Sequence, residues 1–350
     1  MDKIKVAVVG TGTISNHHIQ SYLKNPNVEL YAFCDLDEAK VKMMAEKYGV
    51  SRTYTDEETM LKELPEIDAV SVCVWNSAHM PCTVMALNYG KHVLCEKPMA
   101  ITLAECEAMV EAAKKNGKFL MIGHNQRLAK AHAMARKLIV DGLIGDIVTF
   151  RTTFGHGGPE TWSVDPGLNT WFFDKTRAAM GAMADLGIHK TDLIQFLTGQ
   201  QVVRTTARVT TLDKKDANGN LISVDDNAIC IYEMSGGTLG TMTASWTYYG
   251  AEDNSTVLYG TKGIMRIYDD PTISIKVILA DGSKISYDVE AIQTNDNQTK
   301  SGVIDLWMES LVNDKAPEIS GESALAAMRA VFASIQSSET GMAVEIPENR

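Results

Sequence analysis

A regular alternation of two patterns over the first 123 residues most constrains the fold of this 350-residue chain. Short runs rich in Val and Ile alternate with longer amphipathic stretches, and each run is apolar on both faces, as buried parallel strands are. The predicted strands are Ile4–Val9, Val28–Cys34, Ala69–Val74, His92–Cys95 and Phe119–Ile122, and the predicted helices are Ser15–Leu23, Asp37–Tyr48, Asp56–Leu64, His79–Asn88 and Thr102–Asn116. This alternation predicts an α/β fold with a doubly wound parallel sheet.

The chain after residue 123 follows a different rhythm. Helical patterns come first, at Leu128–Val140 and Ala182–Leu197, and the sequence then becomes strand-rich. The later predicted strands are Val202–Leu212, Asn227–Met234, Gly240–Tyr248, Val257–Tyr259, Gly263–Tyr268, Ile273–Leu279 and Ile285–Val289, followed by helices near Gly302–Asn313 and Gly321–Ser337. Turn signals between the strands indicate hairpins. We therefore predict two domains, 1–123 and 124–350, the second an α+β domain with a large, mostly antiparallel sheet.

Composition narrows the class of partner. Apolar residues make up 45% of the chain and charged residues 22%, which is typical of a globular protein. The net charge of −11 disfavours nucleic acid and anionic membrane surfaces. The apolar runs are far shorter than the roughly 20 residues of a membrane span, and no cleavable signal precedes the first strand, so we expect a cytoplasmic protein without a membrane partner.

The six cysteines are irregularly spaced and form no C-x-x-C pair. In a chain of this size, such cysteines are typical of buried thiols in a reducing compartment. We therefore expect neither a disulfide framework nor a metal site.

A glycine-rich loop, Val9-Gly10-Thr11-Gly12-Thr13-Ile14-Ser15, joins the first predicted strand to the first predicted helix. Gly10 permits a tight turn, and Gly12 lets the backbone approach a pyrophosphate closely. The helix N-terminus offers free N–H groups and a partial positive charge. We therefore predict that Gly10, Gly12, Thr13 and Ile14 bind a dinucleotide, with the small Ser15 in place of a third glycine. A turn without a ligand is the alternative interpretation.

Asp35 directly follows the second predicted strand, 23 residues after Gly12. A carboxylate at this position accepts hydrogen bonds from an adenosine ribose and repels a 2′-phosphate. No Arg occurs among residues 36–38, so we predict NAD over NADP as the cofactor. The alternative is that Asp35 only caps the following helix.

Polar side chains also follow the third and fourth predicted strands, at the edge where ligands bind in an open α/β sheet. Trp75, Asn76 and His79 come after one strand, and Glu96 and Lys97 after the other. A lysine directly after a buried strand is costly unless it has a partner or a function. Lys97 is therefore either a hydrogen-bond donor to a substrate oxygen or a surface partner of Glu96.

Asp185 and His189 stand four residues apart near the start of a predicted helix and so share one face of it. A carboxylate beside an imidazole orients the ring and stabilises its protonated form, which suits a general base. Without further context a purely structural pair is commoner. Half of a metal site is a third interpretation, but no matching pattern of carboxylates and histidines stands nearby.

Taken together, these motifs resemble the Gfo/Idh/MocA family, the relatives of glucose–fructose oxidoreductase and inositol dehydrogenase, over nearly the whole chain. The motifs that carry the resemblance are the Val9–Ile14 loop, Glu96-Lys97-Pro98, Gly123-His124-Asn125-Gln126-Arg127, Asp185-x-Gly187-x-His189-x-x-Asp192 and Gly260-Thr261-Lys262-Gly263. Each motif is modest alone, but their order and spacing are specific. The run Ala179-Met180-Gly181, where relatives are richer in glycine, is a departure that affects the expected substrate pocket.

The resemblance implies a Rossmann domain for NAD at 1–123 and a domain for substrate binding and oligomerisation at 124–350. It implies Lys97 as the donor to the reacting oxygen, and Asp185 with His189 as the acid/base pair. The cofactor-binding residues expected from motifs and resemblance together are Gly10, Gly12, Thr13, Ile14, Asp35, Trp75, Asn76, His79, Glu96 and Lys97. The expected substrate-binding residues are Lys97, Arg127, His156, Trp171, Asp185 and His189.

The function implied is an NAD-dependent dehydrogenase that oxidises a secondary hydroxyl of a sugar, a sugar derivative or a cyclitol. His189, held by Asp185, takes the hydroxyl proton while Lys97 supports the oxygen. One alternative is a redox-neutral enzyme that cleaves a glycoside or epimerises a sugar with tightly bound NAD. Another is a non-catalytic module that senses NAD or a sugar. Relatives commonly form dimers or tetramers through the outer face of the second sheet, so a homodimer or homotetramer is expected.

Overall fold

The computed structural model describes residues 3–163, 166–289 and 302–347. The chain divides into two compact units, one formed by Met1–His124 with Gly302–Leu325, the other by Asn125–Ser301 with Ala326–Arg350. The predicted division at residue 123 instead leaves Gly302–Leu325 in the second domain.

Long-range packing accounts for this difference. The segment brings a helix, Val303–Val312, against the helix Thr13–Leu23 of the first unit, and the side chain of Trp307 is fully buried. The backbone N–H of Ile122 also donates to the carbonyl of Ile319 at 3.2 Å.

The first unit is built around a six-stranded parallel sheet, counted over the residues that the structure describes, in the order β3-β2-β1-β4-β5-β6. The predicted doubly wound parallel sheet is thereby confirmed. The elements are β1 Ile4–Val9, α1 Thr13–Leu23, β2 Val28–Cys34, α2 Glu38–Tyr48, β3 Thr53–Tyr54, α3 Glu57–Glu63, β4 Ala69–Val72, α4 His79–Asn88, β5 His92–Cys95, α5 Leu103–Asn116 and β6 Leu120–Ile122. Strand β3 was not predicted, because two residues at a sheet edge give no apolar run.

Local sequence signals set the ends of these helices. Thr102 and Glu105 form a reciprocal capping box at the start of α5, and Gly117 ends that helix in the left-handed conformation. Asp37 caps α2, which Gly49 ends in the same way. Such caps satisfy backbone groups that a helix leaves unpaired, so they fix its bounds independently of the rest of the fold.

The second unit contains a sheet with the strand order β14-β13-β12-β11-β7-β10-β9-β8-β15. All neighbouring strands are antiparallel except β7 and β10, which confirms the predicted mostly antiparallel sheet. The elements of this unit are α6 Lys130–Val140, β7 Ile147–Gly155, α7 Lys175–Ala178, α8 Ile188–Thr198, β8 Val202–Thr210, β9 Asn227–Met234, β10 Leu239–Ser245, β11 Thr256–Gly260, β12 Gly263–Asp270, β13 Ile273–Leu279, β14 Lys284–Tyr287 and β15 Val344–Glu345. Of the last two helices, α9 Val303–Val312 belongs to the first unit, and α10 Gly321–Thr340 begins in the first unit and continues in the second. Within the described ranges, each helix is too short or too polar to cross a membrane.

Strand β7, which was not predicted, lies in the middle of the second sheet. It separates β10 from β11, so the sheet is not the simple series of hairpins that the turn signals indicate. Every second residue from Phe150 to Phe154 is buried, which includes Thr152. The Oγ1 of Thr152 lies 2.7 Å from Oγ1 of Thr256 on the neighbouring strand. A strand in which threonine takes a buried position gives a weak apolar pattern, although its period is that of a strand.

Gly10 offers a test of how closely β1 and β4 approach each other. Its φ is +86°, and a Cβ there would lie 2.3 Å from the carbonyl oxygen of Cys73. We expect Gly10→Ala to lower the free energy of unfolding by about 2–5 kcal/mol through backbone strain and overpacking. Gly49→Ala is the matched control, because its φ is +71° with no atom near the added Cβ. Urea unfolding measures both, and equal losses would contradict the close approach.

Candidate active site

The carboxyl ends of β2, β1, β4 and β5 lie side by side at one edge of the first sheet. The N–H of Gly10, after β1, donates to the carbonyl of Cys34 at 2.8 Å, and the N–H of Glu96, after β5, donates to that of Val72 at 3.0 Å. Every residue predicted to bind the cofactor follows one of these four strands. The parallel sheet therefore brings to one edge residues that are far apart in the sequence.

The glycine loop fits a pyrophosphate. A Cβ at Gly12 would meet no atom within 4 Å, so the space above the loop is open. Gly12 precedes α1, and no described side chain caps the first turn of this helix. Ser15 is buried and donates to the carbonyl of Gly12 at 2.6 Å, while Thr13 and Ile14 are exposed. Uncapped N–H groups at a helix N-terminus are the donors that a phosphate group needs.

Asp35 holds the glycine loop instead of capping a helix. Its Oδ2 accepts hydrogen bonds from the N–H and the hydroxyl of Thr11, at 2.7 and 2.8 Å. The cap of α2 is Asp37, whose Oδ1 accepts from the N–H of Lys40 at 3.1 Å. The ammonium of Lys40 lies 4.0 Å from Asp35. A carboxylate oxygen accepts more than one hydrogen bond, so Asp35 retains capacity for a ribose hydroxyl.

The segment after β4 contains Trp75, Asn76 and His79. Trp75 is 43% exposed, whereas Asn76 is buried. His79 is also buried, and its Nδ1 lies 2.6 Å from the carbonyl oxygen of Pro98. Burial lowers the pKa of His79, and its Nε2 lies 3.2 Å from the carbonyl oxygen of Val74. His79 thereby ties this segment to the one that contains Lys97; its contact with a cofactor stays a prediction.

Glu96 has a buried partner that the sequence analysis missed. Its Oε1 lies 2.8 Å from Nε2 of His18 on α1, and its Oε2 accepts from the backbone N–H of Lys97 at 3.3 Å. Burial raises the pKa of Glu96, but the hydrogen bond and the charge of His18 lower it by more than burial raises it. The carboxyl is therefore ionised. The pair joins residues 78 apart in the chain, and no local pattern indicates it.

In the second unit, Asp185 and His189 lie where the predicted helix is divided in two. Residues Met183–Gly187 form a π-helical turn, and α8 begins at Ile188. Asp185 and His189 are 8% and 7% exposed. Asp185 Oδ2 accepts a hydrogen bond from Trp246 Nε1 at 3.0 Å. Turns of this type occur frequently at functional sites.

Asp225 anchors the start of this π-helical turn. Its carboxylate accepts from the N–H groups of Gly181 and Met183, both at 2.7 Å, and its carbonyl accepts from that of Ala182. A Cβ at Gly181 would lie 1.8 Å from the carbonyl oxygen of Asp225. The run 179–181, which is poorer in glycine than in relatives, therefore keeps glycine at position 181, where the backbone requires it.

A chain of aromatic rings joins three of the predicted substrate residues. The rings of this aromatic cluster are Phe154, His156, Trp162, Phe172 and Trp246, with successive centroids 5.6, 5.8, 5.1 and 6.4 Å apart. His189 lies 6.1 Å from Phe154, and Trp171 stacks on Phe172 at 4.0 Å. The structure therefore brings His156, Trp171 and His189 to one cluster, and the hydrogen bond to Trp246 adds Asp185.

His156 is buried within the aromatic cluster, and neither of its ring nitrogens has a hydrogen-bond partner among the described residues. A buried imidazole normally has a partner for each nitrogen, either protein or water. The ring can therefore donate a hydrogen bond to a hydroxyl that enters the cluster, or accept one from it.

Arg127 lies in a buried ion pair with Asp192. Its Nε and Nη2 donate to the two carboxylate oxygens of Asp192, at 2.7 and 2.5 Å. The side chains are 9% and 1% exposed. This bidentate pair occupies two donors of the guanidinium, and the predicted contact of Arg127 with a substrate stays a prediction.

Lys190, next to His189, is a buried lysine that the sequence analysis did not single out. It is fully buried, and its ammonium donates to the carbonyl of Asn254 at 2.9 Å. Burial lowers the pKa of Lys190 to about 7, although Asp253 and Glu252 act in the opposite direction. The sequence does not show that this lysine is buried, because its helix contains both apolar and polar residues.

The first unit of this chain is an NAD-binding Rossmann fold. Residues 4–124 match the model of an oxidoreductase family with that fold, the Gfo/Idh/MocA family, and residues 132–266 match the model of the same family's C-terminal domain. Together the two matches span most of the chain. The protein therefore belongs to the Gfo/Idh/MocA family of oxidoreductases, which confirms the resemblance seen in the sequence.

Individual relatives agree with this assignment. The chain is 26% identical to myo-inositol 2-dehydrogenase of Thermotoga maritima over 99% of both chains. It is 32% identical to D-glucoside 3-dehydrogenase of Escherichia coli over 58% of this chain and 56% of that one. The crystal structure of an oxidoreductase domain protein from Kribbella flavida has a TM-score of 0.86 at 28% identity, over 99% of this chain and all of that one.

The depth of Lys190 predicts a pH dependence of stability. An unfolded lysine titrates near pH 10.4, so between about pH 7 and 10 the unfolded chain holds a proton that the folded chain lacks. Stability therefore rises with pH in this window, by up to about 1.4 kcal/mol per unit, and falls as the pH decreases through it. We expect Lys190→Met to remove this rise in urea unfolding series.

Lys137→Met on the exposed face of α6 is the control. It should leave the pH dependence as in the wild type. Parallel curves for the wild type and Lys190→Met would contradict the interpretation.

Proposed function

We propose that this protein is an NAD-dependent dehydrogenase that oxidises a secondary hydroxyl of a sugar, a sugar derivative or a cyclitol. The observation that carries the proposal is the convergence of the glycine loop, Asp35 and Lys97 at one edge of the parallel sheet. The relatives act, by their names, on myo-inositol and on a D-glucoside. Both are polyhydroxylated rings, which is the substrate class proposed here.

The first unit would hold the cofactor through groups already described. The N–H groups at the start of α1 bind the pyrophosphate, and Asp35 accepts from the adenosine ribose. Trp75, Asn76 and His79 line the nicotinamide pocket. NAD, when bound, would supply the acceptor for a hydride.

The chain's own residues would move the proton and fix the substrate. Lys97 donates a hydrogen bond to the reacting oxygen, and His189 takes the hydroxyl proton. Asp185, held by Trp246, stabilises the imidazolium that results. The aromatic cluster offers an apolar wall to the C–H face of a ring, and His156 a polar contact for one hydroxyl.

A panel of polyols tests the proposal. Purified protein is assayed with NAD and myo-inositol, levoglucosan or methyl β-D-glucoside, and NADH is followed by its absorbance. We expect turnover with at least one of them, and Lys97→Ala to lower kcat by about 10²–10⁴-fold, because acid–base and hydrogen-bonding assistance is lost. NAD binding, measured by calorimetry, should persist in this variant.

Lys42→Ala is the control, because Lys42 is an exposed lysine of α2 in the same unit. It should retain wild-type turnover. Near-normal kcat in Lys97→Ala would overturn the role given to Lys97. Product formation without free NADH would instead favour the redox-neutral alternative.

Asp35 makes the cofactor preference testable. Removing this carboxylate deletes an acceptor for the ribose and releases the nearby ammonium of Lys40, 4.0 Å away, for a 2′-phosphate. We expect Asp35→Ser to shift the ratio of kcat/KM for NAD over NADP by about tenfold or more towards NADP, since a hydrogen bond to a charged group contributes about 1.5–3 kcal/mol. Asp37→Ser, which retains a helix-capping residue, should leave the ratio unchanged. A wild-type enzyme that prefers NADP would refute the assignment.

A further inference from the structure

The segment Glu96-Lys97-Pro98 is held on both sides of Lys97. On one side, His79 donates to the carbonyl of Pro98 at 2.6 Å. On the other, the carboxylate of Glu96 accepts the N–H of Lys97 itself at 3.3 Å. The position from which the lysine side chain extends therefore depends on where the Glu96 carboxylate lies.

Three neighbours fix that carboxylate. His18 Nε2 lies 2.8 Å from Oε1, and the N–H of Lys97 reaches Oε2. On the remaining side, a Cβ at Gly123 would lie 3.1 Å from both oxygens, so the carboxylate packs directly on the glycine backbone. Glu96 can move away from this position only if the contact with His18 is lost.

His18 is fixed in turn from the interior of the sheet. Its Nδ1 lies 3.3 Å from Ser71 Oγ and 3.6 Å from Cys73 Sγ, and Ser71 Oγ lies 2.7 Å from the hydroxyl of Tyr22. Burial lowers the pKa of His18, but the Cys73 thiol and the Glu96 carboxylate raise it more, so it stands above its ordinary value. With both nitrogens protonated, the ring donates to Glu96 on one side and to Ser71 on the other.

We propose that His18 is a positioning residue for Lys97 and acts through the Glu96 carboxylate, an inference that rests on the function proposed for Lys97. His18 lies on α1, the helix that begins at the glycine loop. The chain of contacts therefore ties the helix whose N-terminus would bind the pyrophosphate to the backbone of Lys97. A buried ion pair suits this use, since it has one well-defined geometry and is costly to break.

The first experiment needs neither cofactor nor substrate. Amide hydrogen exchange of Lys97 is measured in the wild type, His18→Leu and His18→Gln. We expect exchange about tenfold faster in His18→Leu, because the acceptor Glu96 is released, and a smaller change in His18→Gln, whose amide can still donate to Glu96. His92→Gln is the control, since His92 lies at the opposite end of β5. Unchanged exchange in His18→Leu would overturn the proposal even if no tested polyol were turned over.

The second experiment asks whether the effect passes through Lys97. With a polyol that the wild type oxidises, His18→Leu should lower kcat by about 10- to 100-fold, while the KM for NAD changes much less. In the Lys97→Ala background, the same substitution should lower kcat no further. A further fall of equal size in that background would show that His18 acts independently of Lys97 and would overturn the inference. If the leucine variant does not fold, His18→Gln is tested in its place, and we expect its kcat to lie between that of the wild type and that expected for His18→Leu.

Discussion

The first unit depends on the parallel pairing of β2, β1, β4 and β5. Parallel neighbours end at the same edge of a sheet, so each loop that follows a strand contributes to one surface. The approach is close enough that Gly10 leaves no room for a side chain against Cys73. The glycine loop, Asp35 and Lys97 lie together because the backbone pairing puts them there.

Buried charge is handled differently in different parts of this protein. His18 with Glu96, and Arg127 with Asp192, are paired at hydrogen-bond distance, which offsets the cost of removing both members from water. Lys190 instead has a backbone carbonyl at 2.9 Å, and burial lowers its pKa towards neutrality. The paired charges favour one geometry, whereas the folded state becomes more stable when Lys190 loses its proton.

The second unit assembles its candidate substrate residues through packing of side chains. The rings between Phe154 and Trp246 form one continuous series, and they contact His189 at one end and Asp185 at the other. Asp225 fixes the turn from which Asp185 projects. Two ionisable residues thereby lie among apolar side chains, where electrostatic interactions are stronger than in water.

The sequence by itself determined the local structure and the family. Apolar periods, caps and turn glycines depend on near neighbours in the chain, so strand and helix bounds were predicted closely, and so was the glycine loop. The same signals could not reveal β7 at the centre of a sheet, the π-helical turn, or the packing of Gly302–Leu325 on the first unit. Only the tertiary structure decided that His18 pairs with Glu96 and Arg127 with Asp192, across 78 and 65 residues. Such pairs follow from long-range packing, which no local period encodes.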